Sequence, residues 1–246
     1  MIAEPATGFI DIHHHIIYGV DDGPQTLEEA RQMLALAYAD GTRHIIATPH
    51  FNPTGYCPEI DLLQERLAEL KAVCADEYPD LQLQLGAEVL FGEGIRRKLR
   101  AGAIPTLADS NYVLLEFVPG VSEDKLERAV RHLANGGYVT VLAHSERYPA
   151  ITGNLKFTKY LKEKYGVLIQ VNANTFVSRQ RFHVKRFLKK ALWLGIIDLV
   201  ASDAHNTKNR RTMMKNAYVF LTEKYDKNQV NSLFYPTFTD IITDCR

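Results

Sequence analysis

The sequence predicts an α/β fold in which seven parallel strands alternate with helices and close into a barrel. Three observations carry this prediction. Short apolar, β-branched runs recur along the chain and are near-continuous, the pattern of strands buried on both faces. Segments of helical periodicity lie between them, so the strands are parallel. Six of the seven strands run into an acid or a histidine at or just after the C-terminal end. An open doubly wound sheet and a closed barrel both fit the alternation. The third observation decides for the barrel, because closure brings every strand end to one rim, where barrel enzymes place their active sites. An open sheet would string the same residues along a line too long for one site.

Taken in order, the strands are expected at Gly8–His13, His44–Thr48, Leu81–Glu88, Tyr112–Phe117, Tyr138–His144, Val167–Asn172 and Asp198–Ser202. The first helix is signalled at both ends. Thr26 and Glu29 form a T-x-x-E capping box, Leu27, Ala30, Met33, Leu34, Ala37 and Tyr38 follow helical spacing, and Gly41 ends the run. The next helix covers 58–77, with Ile60, Leu63, Leu67 and Leu70 on one face. A third starts near Ser122, carries Leu126, Ala129, Val130 and Leu133, and stops at Gly136-Gly137. Helices are also expected at about 154–165, 179–194 and 209–224. There is no repeat, low-complexity tract or linker, so residues 1–246 read as a single domain.

Composition excludes several function classes. The 246 residues carry 29 Lys+Arg and 29 Asp+Glu, which lacks the basic excess of a general nucleic-acid binder. No apolar stretch approaches the ~18 residues that span a bilayer. Residues 1–7 have neither the basic nor the apolar region of a signal peptide. The expectation is a cytoplasmic protein without membrane insertion. Cys57, Cys74 and Cys245 form no CxxC pair and read as reduced structural or surface thiols.

The strand ends read Ile-Asp-Ile-His-His-His (10–15), Ala-Thr-Pro-His (47–50), Gly-Ala-Glu (86–88), Leu-Leu-Glu-Phe (114–117), Leu-Ala-His-Ser-Glu-Arg (142–147) and Ala-Ser-Asp-Ala-His (201–205). The sixth strand ends Gln-Val-Asn-Ala-Asn, polar but uncharged. His13-x-His15 puts two imidazoles on one side of a strand, a grip for a metal, and His14 points the other way. Taken singly, each residue has an ordinary structural reading. The histidine run could lie on the surface, Glu88 or Glu116 could be a salt-bridge partner, and Asp22 could be a turn or cap residue beside a structural Asp21. His44, His132 and His183 fall within elements and read as structural. A metal cluster explains His13, His15, Asp22, His50, Glu88, Glu116, His144, Asp203 and His205 together, and burying so many such groups without a cation would be very costly. Imidazole and carboxylate donors without thiolate suit Mn, Fe or Zn. Nine ligands exceed the need of one ion, so two or three are expected, with a carboxylate such as Glu88 bridging two of them.

The ordered set Asp-Ile-His-His-His, Val-Asp-Asp-Gly-Pro, Ala-Thr-Pro-His, Gly-Ala-Glu, Leu-Glu-Phe, Ala-His-Ser-Glu-Arg-Tyr and Ser-Asp-Ala-His-Asn resembles the polymerase-and-histidinol-phosphatase (PHP) superfamily. Within it, the match is to the bacterial capsular and exopolysaccharide tyrosine phosphatases, over about residues 8 to 240. Val-Asp-Asp-Gly-Pro and Ala-His-x-Glu-Arg-Tyr are the more specific pieces. The resemblance implies a distorted seven-stranded (β/α)7, TIM-like barrel holding divalent ions, usually manganese. It gives one ion to His13, His15, Glu88 and Asp203, a second to Glu88, Glu116 and His144, and a third to Asp22, His50 and His205. The loop after His50, Phe-Asn-Pro-Thr-Gly-Tyr, departs from members that carry basic residues there.

The activity implied is hydrolysis of protein phosphotyrosine by a metal-bridging hydroxide. Arg147 and Arg210 match positions for guanidinium contacts to phosphate. His205 or a metal-bound water is the implied acid for the tyrosine leaving group. No cysteine is followed by five residues and an arginine, so a covalent thiol mechanism is not expected. The implied partner is the Tyr-rich tail of a membrane-associated bacterial kinase governing polysaccharide export, and a homo-oligomer is compatible with it. Three competitors stand beside this expectation. A histidinol-phosphate phosphatase on the same fold would favour a closed pocket over a shallow open rim. An amidohydrolase-type barrel would carry a strand-end lysine, and none is present. A catalytically silent metal-binding domain would lack ligands, and none is missing.

Overall fold

The computed structural model describes residues 8–235, so the expectations for residues 1–7 and for Cys245 lie outside the described residues. β1 (Phe9–His14) is buried along its whole length and is followed by α1 (Leu27–Ala39), β2 (Thr42–Ala47) and β3 (His50–Phe51). α2 (Ile60–Glu77) leads to β4 (Gln82–Leu85), β5 (Glu88–Leu90) and α3 (Ile95–Arg100). Then come β6 (Tyr112–Glu116), α4 (Glu123–Ala134), β7 (Val139–Leu142), α5 (Pro149–Thr152) and α6 (Leu155–Tyr165). β8 (Leu168–Asn172), α7 (Ala173–Val177), α8 (Phe182–Trp193), β9 (Leu199–Ala201), α9 (Met214–Thr222) and α10 (Lys227–Phe234) complete the described chain.

Every strand pairing is parallel. β1, β2 and β4 form one sheet in the order β1-β2-β4, and the other runs β3-β5-β6-β7-β8-β9. The strands form a half-barrel. The expected third strand is broken in two, as β4 and β5, and just past the expected second strand the chain pairs again as β3; a particular residue marks each gap. Pro49 has no N–H to give to a ladder. Gly86 sits where a side chain cannot, since a Cβ there would come within 2.9 Å of Ile46 Cγ2 and Leu107 Cδ2. Beyond the breaks His50 pairs with Glu88, and Leu90 with Glu116. The chain leaving β9 also meets β1: Asp203 N–H donates to His13 O, and His15 N–H to Ala204 O, each at 2.9 Å.

The helices pack their apolar stripes on one face of these strands. α1 begins as the capping pattern predicts, with Thr26 Oγ1 accepting from Glu29 N–H at 3.2 Å; Glu29 Oε2 reaches back one residue further, to Gln25 N–H. Ala30, Met33, Leu34 and Ala37 bury its inner stripe. On the other face lies a smaller cluster, in which Ile10, Ile12, Ile46, Leu114, Val141 and Leu199 meet. β8 extends this face upward: Leu168 joins the cluster, and Gln170 and Asn172 follow at the same parity.

Differences from the expected helices have physical reasons. α3, α5, α7 and α10 span eight residues or fewer, too short to establish a 3.6-residue period. α9 starts at Met214 because residues 206–210 are held in a turn, with Asn206 Oδ1 accepting from Lys208 N–H and Arg210 N–H. Among the described residues no helix is long and apolar enough to cross a membrane. Leu114 is fully buried in the inner cluster. Leu114→Ala is expected to lower the unfolding free energy by about 2–5 kcal/mol, read from the urea midpoint. A loss below about 1 kcal/mol would contradict close packing there.

Candidate metal centre

The strand ends aim their side chains by unusual backbone. His144, just past β7, has φ 30° and ψ 53°, and Asp203, past β9, has φ 54°. Non-glycine residues rarely adopt the left-handed region, and such strain persists where the surroundings fix it. Here the surroundings do. Gln170 Oε1 accepts from His144 N–H at 2.7 Å, and Asp203 N–H donates into β1. The β1–β2 register slips between Asp11 and His14, next to the two facing histidines.

All nine candidate ligands, eight from the strand ends and Asp22 from the loop after β1, come together. Glu88 is the hub: its Oε2 lies 3.2 Å from both His13 Nε2 and His15 Nε2 and 3.1 Å from His50 Nδ1, and its Oε1 lies 2.7 Å from His144 Nε2. Asp203 Oδ1 is 3.4 Å from both His13 Nε2 and His205 Nδ1. Glu116 approaches His144 Nε2 at 3.4 Å and His50 Nδ1 at 3.9 Å. Asp22 Oδ1 lies 3.3 Å from His50 Nε2 and 3.2 Å from His205 Nε2. Three groups place their donor atoms within 4.8 Å of one another: His13, His15, Glu88 and Asp203; His50, Glu88 and Glu116; and His15, Asp22, His50 and His205. Against the expected partition, His15 also joins the third group, and His50 stands with Glu88 and Glu116 in place of His144, which approaches both carboxylates but falls in none of the three groups.

The donor set fits a cation on local grounds. His13 Nδ1 faces Gln170 Oε1 at 3.2 Å, and His15 Nδ1 faces Asp21 Oδ2 at 2.8 Å. An oxygen acceptor at Nδ1 keeps the hydrogen there and turns the Nε2 lone pair inward. The two Nε2 atoms are only 3.2 Å apart. Two such lone pairs facing each other beside two carboxylates repel unless positive charge lies among them. Glu88 Oε2 and His205 Nε2 are moreover buried without a well-aimed hydrogen bond, although imidazole nitrogens crowd the first at 3.1–3.2 Å and Asp22 Oδ1 lies 3.2 Å from the second, a crowding that needs a reason. In the metal-free protein, protons supply part of the charge. Burial pulls His15 down, but Asp21 and Glu88 outweigh it and hold its pKa up at about 10. Burial is likewise outweighed at His144, which Glu116 and Glu88 hold at about 9. Burial pushes Glu88 up, yet His13, His144 and His15 keep it well below the usual carboxylate range. His205 goes the other way, since burial and neighbouring His15 hold it down at about 3, a neutral imidazole.

The two arginines stand at the edge of the cluster. Arg147 Nη2 donates to Asp203 Oδ2 at 2.6 Å, and Arg210 spans Asp22 at 2.7 Å and Asp203 at 3.5 Å. His14 is buried outside the cluster, with its N–H on Thr48 Oγ1. Other residues orient the donors, and the sequence alone leaves them unassigned. Asp21, read as structural, grips His15, His50 N–H and Gly23 N–H; burial raises its pKa, but His15 prevails and lowers it to about 2. Asn172 Nδ2 donates to Asp203 Oδ2 at 2.7 Å, and the fully buried Tyr148 hydroxyl meets His144 Nδ1 at 3.2 Å. The uncharged end of the sixth strand holds the signal for Gln170 and Asn172, because their i, i+2 spacing puts both on one face. No comparable signal marks Tyr148.

Comparison with known proteins agrees with this geometry. A family model for capsular polysaccharide synthesis, CpsB/CapC, matches residues 9–243. The chain is 32% identical over 241 residues to the tyrosine-protein phosphatase CpsB of Streptococcus pneumoniae, covering 96% of this chain and 98% of that protein. It is 31% identical over 217 residues to the tyrosine-protein phosphatase YwqE of Bacillus subtilis, covering 88% and 85%. A chain from crystal structures of YwqE and CpsB, described as unique metal-dependent tyrosine phosphatases, superposes with a TM-score of 0.84 at 28% identity, covering 95% of this chain and 94% of that one. A β-aspartyl dipeptidase from Fervidobacterium islandicum shares the fold alone, at a TM-score of 0.55 and 13% identity over 96% of this chain and 75% of that one. Built on these parallel strands and matched along nearly its whole length, the chain belongs to the CpsB/CapC family of capsular polysaccharide synthesis proteins.

Proposed function

We propose that this chain is a metal-dependent protein tyrosine phosphatase serving capsular or exopolysaccharide synthesis. The observation that carries this is a nine-donor cluster with a buried floor and an open side. The side chains of His13, His15 and Glu88 are at most 1% exposed, whereas those of Asp22, Arg147, Arg210 and His50 are 57%, 44%, 36% and 36% exposed. A shallow rim receives a phosphotyrosine standing on a protein surface; a small ester such as histidinol phosphate calls for a closed pocket. Relatives at 30–32% identity bear the tyrosine phosphatase name.

In this mechanism His13, His15, Glu88 and Asp203 would hold one divalent ion, Glu88, Glu116 and His144 a second, and Asp22, His50 and His205 a third. Mn is the first choice, with Fe and Zn as alternatives for the same donors. When bound, such ions supply a nucleophile from water at neutral pH and positive charge for the phosphate. Arg147 spends one N–H on Asp203 and has others free to clamp phosphate oxygens. Arg210, bound to both Asp22 and Asp203, is the second clamp. His205 Nδ1 faces Asp203 O at 3.0 Å, which turns Nε2 toward Asp22 as a ligand; His205 or a metal-bound water is the acid assigned to the leaving tyrosyl oxygen. Asp21, Gln170, Tyr148 and Asn172 fix the donors that they touch.

We also infer a distorted seven-stranded, TIM-like barrel forming one domain. Its support is the continuity of β2 with β3 and of β4 with β5, together with the hydrogen bonds between β1 and the chain leaving β9. The substrate assigned is the Tyr-rich tail of a bacterial kinase, the compartment the cytoplasm, and a homo-oligomer fits both.

Chelation with EDTA is expected to abolish hydrolysis of a phosphotyrosine peptide, and added Mn to restore it; full activity of stripped protein in EDTA would refute the metal mechanism. His13→Ala and Asp203→Ala should lose turnover with the circular dichroism spectrum kept, and an unchanged kcat in either would contradict the ligand assignment. Asp21→Asn should weaken Mn binding by roughly 10–100-fold. Metal uptake must displace the protons that the carboxylates hold on His15 and His144. Mn affinity should therefore rise with pH up to about 9 to 10, with proton release below that range. Calorimetric titration at pH 6.5 and 8 in buffers of different ionisation enthalpy checks this, and a pH-independent affinity would contradict it.

A further inference from the structure

From Ser178 to Ile197 the chain carries six Lys/Arg and no Asp or Glu, although the whole sequence is balanced at 29 of each sign. α8 lies within this stretch and buries Val184, Phe187, Leu188, Ala191 and Leu192 on one side. At about 100° per residue, Phe182, Arg186, Lys189 and Trp193 fall within roughly 60° of each other on the opposite side. The outward stripe thus reads aromatic, cation, cation, aromatic, and spans about 16 Å. Lys185 and Lys190 flank it. Phe182 and Trp193 are each 80% exposed, and Leu194 beyond them is 51% exposed. Among the described residues no ion pair engages any of the six cations. The grooves on either side of α8 add Lys156 and Lys224 and are lined by no carboxylate.

We propose that this face of α8 seats the protein on the surface of an anionic phospholipid bilayer. The chemistry of the stripe selects that partner. Unpaired cations attract anionic headgroups, and aromatic rings at both ends match the headgroup level, where tryptophan is favoured. The buried side of the helix stays on the fold, so docking lays the helix along the surface without crossing it. This surface is distinct from the metal cluster and does not depend on the phosphatase assignment.

The test uses the whole protein and vesicles of phosphatidylcholine alone or with 30% phosphatidylglycerol. Trp193 is the single tryptophan of the chain, so its fluorescence reports on this face directly. Expected are co-sedimentation and a blue-shifted Trp193 emission with the anionic vesicles only, both reversed by high salt. Arg186→Glu with Lys189→Glu should lower the bound fraction at least tenfold, with the circular dichroism spectrum and hydrolysis of a soluble phosphotyrosine peptide unchanged. Phe182→Ser should weaken sedimentation while charge is kept. The proposal is overturned if anionic vesicles neither pull down the protein nor shift Trp193. It is equally overturned if the shift grows with protein concentration without lipid and the mass doubles, which would assign the face to a second copy. Retention of an acidic protein in place of vesicles would overturn it too.

Discussion

Four imidazole rings converge on one buried carboxylate, that of Glu88, and the upper half of the molecule is arranged around that demand. An ionised carboxylate out of water is tolerated only with charge close by. Its neighbours come from β1, β3 and the segment after β7, which are distant in sequence. The breaks at Pro49 and Gly86 pair His50 with Glu88, while the left-handed turn at His144 brings in a ring from the next strand but one. Asp21, Gln170 and Tyr148 then occupy the outer nitrogens of His15, His13 and His144. Each orienting contact makes sense only because an inner nitrogen must face the carboxylate.

Much of this is legible in the amino-acid sequence alone. Parallel strands buried on both faces leave apolar runs that can be counted, and ligand-type side chains ending those runs stand out against them. The eight residues nominated that way converge, and Asp22 from the loop after β1 joins them. Other features lie out of reach because they depend on contacts across the chain. Nothing local says that Tyr148 lies under His144 or that Asn172 reaches Asp203. The strand breaks are half visible, since Pro49 is in plain view, but the collision that forces glycine at position 86 involves Ile46 and Leu107. The loop holding Arg210 also replaces the first turn of an expected helix, because Asn206 captures the backbone locally.

The relatives place these features within a family, and the more remote structural neighbours define a boundary. A dipeptidase shares the strand arrangement at 13% identity, which speaks for the scaffold and not for its chemistry. In this chain the strand ends carry Glu88, Glu116 and histidines, so the residues rather than the scaffold decide what the rim can bind.

The imidazolium–carboxylate pairs around Glu88 also bear on the order of events in the life of the protein. Many small metal domains are unfolded until their ion arrives. Here His15 and His144 hold protons where cations are wanted, and beneath them lie apolar layers that owe nothing to any ion. A newly made chain can therefore reach its final shape first, with protons as placeholders, and load its ions afterwards into donors already aimed.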